Sequence, residues 1–200
     1  MQRKEYSAGA VKFLFWFAEF RKVISLLRLG KTMEEIKELA AAENIFSAAT
    51  PLRSRQIFST VSARVSVLPD DYHNLFTESS LETQKLITLI AIMKTDTLFF
   101  DFLNDVFREK LITGDLVLKD ADIRVFFWNK QRDSEKVAVW TDATLERLLG
   151  CYKTYLFEAG LLERGKGERK IIKPLLDQKL ERLLSDKGSI QILKILTGKR

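Results

Sequence analysis

Along almost the whole chain, apolar side chains recur three and four positions apart, the spacing that gathers them on one face of a helix. Only three prolines and nine glycines punctuate that pattern, so the sequence predicts a mostly α protein. A first helix is expected over residues 7–29, stopped by Gly30 just past its C-cap. Thr32 and Glu35 form a capping-box pair, and Ile36 and Leu39 begin the stripe of a short second helix. Thr50 caps a third, with Pro51 in its first position, that lasts until Leu68. Pro69 starts a short helix through "PDDYHNLFTE", Ser79 with Glu82 caps "LETQKLITLIAIMK", and Thr95 caps a long amphipathic helix ending before Gly114. After a break at "TGDLVL", Asp120 opens "ADIRVFFWNKQR", and Thr141 opens "DATLERLLGCYKTYLFEA", which stops at Gly160. "GLLERGKGERKIIKP" differs in kind: two β-capable runs flank a Gly-Lys-Gly turn, the signature of a hairpin. Two short helices, "LLDQKLERLL" and "SIQILKIL", finish the chain.

The expected architecture is therefore all-α and globular, with two helix-turn-helix-like units and a small β-hairpin wing near the C-terminus. Residues 1–95 form an N-terminal helical region with the first unit, and residues 96–200 a C-terminal region with the winged unit, packed as one compact body. The run "FLFWFAEF" is the strongest apolar stretch near the start. Glu19 interrupts it and Arg21 and Lys22 follow, whereas a membrane-spanning helix needs about 20 apolar residues, so it predicts a buried helix and no membrane association.

Composition narrows the function classes. At 200 residues, 46% hydrophobic and 30% charged, the chain can bury a sizeable core. One cysteine, Cys151, and one histidine, His73, exclude an internal disulfide and a Cys/His metal cage, which points to a reducing cytoplasm. The net charge of +6 points to an anionic partner, nucleic acid or an acidic membrane surface.

The start of the third helix sharpens this. "TPLRSRQ" places cations where the field of a helix start favours acidic groups, so a partner outside the helix is expected to want them. On a 3.6-residue wheel Ile57, Phe58, Val61, Val65 and Leu68 share one arc of about 100°. Opposite lie Gln56, Ser59, Ser62, Ala63 and Ser66, with Arg53 and Arg64 on one border and Arg55 on the other. Small residues allow close approach, flanking arginines reach phosphates, and Gln56 can bond adenine or a phosphate. Helix 141–159 repeats the theme. Leu145, Leu148, Leu149, Tyr152, Tyr155 and Leu156 form its apolar face, with Cys151 at the edge, while Ala143, Arg147, Gly150, Lys153 and Thr154 lie opposite. A glycine inside a helix costs roughly 1 kcal/mol against alanine, which suits a position where something packs close. The hairpin after it has the form of a wing whose Arg164, Lys166, Arg169 and Lys170 can straddle a sugar-phosphate backbone.

Catalytic signatures are missing. Neither GxxxxGK[ST] nor GxGxxG occurs, His73 has no nucleophile pattern beside it, and Cys151 borders an apolar arc. Asp70 and "ERK" at 168–170 lie too far apart, without supporting strands, for a PD…ExK nuclease. Asp101, Asp105 and Glu109 recur at helical spacing, a solvated stripe or a divalent-ion site. No enzyme, cofactor or bound metal is expected.

Four segments taken together, "YSAGAVKFLFWFAEFRKVISLL", "TMEEIKELAAAENIF", "MKTDTLFFDFLNDVFREKL" and "WTDATLERLLGCYKTYLFEAGLLE", resemble in order and spacing the BrxA family of bacteriophage exclusion (BREX) phage-defence systems. That resemblance covers almost the whole chain. It implies an all-helical, cytoplasmic, DNA-binding accessory protein that works beside a methyltransferase, a phosphatase-like protein and ATPases, with no active site of its own. It rests on helical outlines, so no catalytic residue carries over. The expected partner is double-stranded DNA, bound by a monomer largely through phosphates. A protein–protein adaptor with basic docking faces and an RNA-binding helical bundle stand as alternatives.

Overall fold

The computed structural model describes residues 4–199; the outermost ends of the two expected regions, residues 1–3 and Arg200, lie outside the described residues. The centre of the core is α5 (Leu81–Thr95), in which every residue from Leu86 to Met93 is buried, as befits a helix that is apolar on all sides. Around it pack α1 (Phe17–Arg28), α3 (Pro51–Ser66), α4 (Asp70–Glu78), α6 (Thr97–Phe102) and α10 (Asp142–Glu158). The short α2 (Met33–Ala42) leans on α3, where the buried Ser54 hydroxyl donates to the Ala40 carbonyl at 2.6 Å. A π-helical segment, Leu103–Phe107, joins α6 to α7 (Arg108–Thr113) as one rod. After it come α8 (Asp120–Asp133), α9 (Glu135–Ala138), α10, α11 (Gln178–Asp186) and α12 (Ile190–Thr197). Aromatic rings knit the second half together. Phe99 of α6 lies 4.9 Å from Tyr152 and 5.3 Å from Tyr155 of α10, and Phe127 of α8 lies 5.6 Å from Tyr152.

Most expected helices form with their capping residues: Thr32 with Glu35, Thr50, and Thr141 all accept backbone N–H bonds. Two caps shift by one residue. Ser80 rather than Ser79 caps α5, and Asp96 rather than Thr95 caps α6, its carboxylate accepting from the Phe99 amide at 3.0 Å. The first helix departs more. A single turn over Gly9–Lys12 gives way to a non-helical stretch, residues 13–16, in which Trp16 takes the left-handed conformation with φ of 54°, before α1 begins. The carbonyls of Phe13, Leu14 and Phe15 then lack helical partners, and side chains supply them: Tyr155 donates to Phe13, and Arg64 donates to Leu14 and Phe15 at 2.9 and 2.8 Å. Within the apolar run Phe15, Trp16 and Phe20 are buried and Phe13 and Phe17 partly so, while Leu14 is 56% exposed.

The hairpin is present and gains a third segment. Residues 161–163 pair with 169–172 through a Leu162–Ile171 bridge, and the Glu163 amide donates to the Lys170 carbonyl. On its other side β2 (Arg169–Lys170) runs antiparallel to β1 (Val117–Leu118), with Val117 opposite Lys170 and Leu118 opposite Arg169. The break at "TGDLVL" is thus a strand that ties the hairpin to the helices before it. Among the described residues no helix is long and apolar enough to cross a membrane.

Candidate nucleic-acid interface

In the second half, β1, α8, the short α9, α10 and the hairpin follow one another, and β1 returns to pair with the hairpin. The inner face of α10 is buried through Leu148, Leu149, Tyr152, Tyr155 and Leu156, which leaves Ala143, Arg147, Gly150 and Thr154 exposed. A Cβ built on Gly150 meets nothing within 4 Å, so nothing inside the protein requires a glycine there. Glu146, the acidic side chain in the middle of this outer face, is held by Arg124 of α8 in a two-pronged pair of 2.6 and 3.1 Å.

The wing projects its cations. Arg164 and Lys166, with Gly165 and Gly167 between and beside them, are exposed, and Gly167 has the positive φ, 68°, that the tight turn needs. Lys170 is exposed and lies 3.6 Å from Glu163 across the hairpin. Arg169 is half-buried, and its Nε is enclosed with no hydrogen-bond partner. Lys119 lies 3.6 Å from Glu168.

Lys153 was expected on the outer face and is instead buried. Its ammonium bonds Asp120 of α8 at 2.5 Å and the Gly167 carbonyl of the wing at 3.1 Å. A one-helix wheel places Lys153 beside Thr154, but the wing folds back over it, and an acceptor pair 14 and 33 residues away captures its charge.

The first unit is less open. Arg55, Gln56 and Ser59 are exposed on α3 as expected. Arg64 is not: it is buried and spent on the Leu14 and Phe15 carbonyls, with its guanidinium over the rings of Trp16 and Tyr155 at 5.8 Å each. Burial pulls its pKa below the ordinary arginine value, with Tyr155 and Asp96 partly opposing. Arg53 is half-buried, stacks 5.1 Å from the Trp16 ring centroid and donates to Gln56 at 3.4 Å. Ser59 and Ala63 of the small-residue face of α3, together with Thr60, line a cavity of about 320 Å³ under residues 4–13, with Asp96 at its wall. Loss of water raises the Asp96 carboxyl to a pKa of about 6 against the bonds from Phe99 and Leu98 and the nearby Arg64 charge.

The acidic stripe has an internal use. Lys130 of α8 sits 3.4 Å from Asp101 and 3.2 Å from Asp105, and the Tyr6 hydroxyl donates to Asp101 at 2.6 Å. Sequence patterning missed Arg124, Lys119 and Asp120, because their roles depend on partners brought close only by the fold.

The BrxA family model matches residues 4–188 of the chain. A protein of Bacillus cereus (strain H3081.97) named BREX protein BrxA is 43% identical over 182 residues, 91% of each chain. A second BREX protein BrxA, from Paramagnetospirillum magneticum (strain ATCC 700264 / AMB-1), is 25% identical over 76% of each chain. The crystal structure of an uncharacterized protein from Magnetospirillum magneticum superposes with a TM-score of 0.81 at 18% identity, covering 98% of this chain and 100% of that one, so the two share a fold.

Proposed function

The chain belongs to the BrxA family of BREX phage-defence systems, and from that premise we propose that it is a non-catalytic accessory protein that binds double-stranded DNA through backbone phosphates. In this reading α10 lies in the major groove and the wing follows the adjacent sugar-phosphate strand. One observation carries it: the outer face of α10 is cleared of bulk at Ala143, Gly150 and Thr154 immediately before a hairpin that exposes Arg164 and Lys166. Helix, connection, helix and a hairpin paired back to a preceding strand is the outline of a winged helix-turn-helix, and α2 with α3 supplies a second helix pair presenting Arg55 and Gln56. With Arg147 as the one long basic side chain on the outer face of α10, base reading is sparse and sequence preference weak. The protein acts in the cytoplasm, as a monomer, beside the methyltransferase, phosphatase-like and ATPase components of the system.

A second reading, a protein–protein adaptor, is favoured by a separate feature. Val125 and Trp128 of α8 are 53% and 72% exposed, and such surface is more apolar than a helix face needs in water. Titration of labelled duplex DNA with structured RNA and heparin as competitors separates the readings. Duplex binding that RNA displaces poorly supports the proposal; absence of duplex binding at low salt leaves the adaptor.

A further inference from the structure

One buried ammonium joins three elements beside the proposed DNA face. Lys153 comes from α10, Asp120 from the first turn of α8, and the Gly167 carbonyl from the wing, at 2.5 and 3.1 Å. The Lys153 side chain is 9% exposed against 31% for Asp120, so the tie is shielded on the lysine side. The base of the wing is well held, with Leu161, Leu162 and Ile171 buried and the Glu163, Ile171 and Ile172 amides donating to Lys170, Leu116 and Leu161, but its tip, residues 164–168, has few other holds. The wing's strands are two residues long, with one further bridge at Leu162–Ile171, and the Lys119–Glu168 and Lys170–Glu163 pairs are solvent-exposed at 3.6 Å. Exposed pairs of that kind contribute little and weaken with salt, so the tip depends on whatever else ties it down.

We infer that Lys153 is a positioning residue: it fixes the wing against α10 and α8, so that Arg164 and Lys166 are presented at a set distance from the α10 face, and it does not itself touch DNA. The inference rests on the DNA-binding reading for its functional half. A lysine ammonium has three donors and no acceptor, and two of the three are spent on Asp120 and Gly167. A charge so engaged releases no counterion when duplex binds, whereas a phosphate-contacting lysine does. Holding the wing in place before binding raises affinity by lowering the ordering cost.

The test compares the full chain with Lys153→Met, which keeps the hydrocarbon stem, using hydrogen exchange and duplex titration at several salt concentrations. Exchange at residues 163–170 should quicken by about tenfold while α5 and α10 stay protected. Duplex affinity should fall by about 3–10-fold at every salt, with the log–log slope unchanged. A slope lowered by about 0.9 would show Lys153 on a phosphate and overturn the inference. Unchanged exchange and affinity would overturn it too. If Lys153→Met does not fold, Asp120→Asn loosens the same tie from its more exposed end, and exchange decides: quickening confined to the wing upholds the brace, and unchanged exchange overturns it. A parent that binds no duplex overturns the DNA reading, and exchange then decides alone: loosening confined to the wing upholds the brace, and none overturns it.

Discussion

Helices α3 and α10 share one sequence pattern, small side chains flanked by basic ones, and around each the cations divide between the interior and the surface. On α3, Arg64 is drawn into the core and Arg53 lies against Trp16, leaving Arg55 as the outward arginine. Beside α10, Lys153 is drawn inward, while Arg147, Arg164 and Lys166 remain outside. What separates the fates is the backbone next to each cation. Where residues 13–16 leave helical geometry, their carbonyls need donors, and an arginine with five N–H groups supplies them. At the wing tip nothing lies within 4 Å of a Cβ built on Gly165 or Gly167, and Arg164 and Lys166 are exposed with no acceptor bonded to them among the described residues. A basic border position therefore serves stability or recognition according to which orphaned acceptors the fold brings near it.

Replacing Arg64 by methionine breaks the comparison most strongly. Two carbonyls lose charge-assisted bonds, so the protein should lose about 3 kcal/mol, measured by denaturant unfolding, with duplex affinity unchanged at temperatures where it stays folded. A large affinity loss without destabilisation would move Arg64 back to the interface.

Asp96 sharpens the same point through pH. Its folded pKa of about 6 exceeds the ordinary carboxylic value, so the folded state binds the proton more tightly than the unfolded. That contribution is fully present below about pH 4 and is lost as pH rises through 6. Asp96→Asn keeps an oxygen for the Phe99 amide and removes the charge. It should stabilise the protein at pH 7 by on the order of 2 kcal/mol, with the difference vanishing near pH 4. Equal effects at both pH values would refute the assignment.

Gly150→Ala should give the smallest change and the most diagnostic sign. Helix propensity favours alanine by about 1 kcal/mol, and the space around a Cβ is open. Thermal stability should therefore rise while duplex affinity falls a few-fold, because in the proposed complex the methyl stands where the duplex approaches. A rise in both would make Gly150 incidental.

Much of this was legible in the sequence. The buried stripe of α3, from Ile57 to Val65, and that of α10, from Leu148 to Leu156, follow helical spacing that nothing else in the chain overrides. The hairpin announced itself through Gly-Lys-Gly. The break at residues 13–16 did not, because "FLFWFAEF" is apolar at nearly every position and hides its own period. Cap positions slipped by one where two capping residues stand side by side, Ser79 with Ser80 and Thr95 with Asp96. The inward turn of Arg64 was invisible for a different reason: its acceptors, Leu14 and Phe15, lie 50 and 49 residues away, beyond any local pattern. The same holds for Lys153. A helical wheel tells which residues flank an apolar face, and only the neighbours decide whether a flank is wet.

The central claim is that the wing beside α10 neutralises phosphates of duplex DNA, and salt dependence tests it most directly. Duplex affinity of the parent and of the Arg164→Ala/Lys166→Ala variant should be measured on two unrelated duplexes across a salt series, with folding verified for both. The account predicts an unchanged melting temperature, weaker binding to both duplexes alike, and a log–log slope reduced by roughly two, since each lost phosphate contact removes one counterion-release contribution of about 0.9. A variant that binds with the parent's affinity and slope would contradict it.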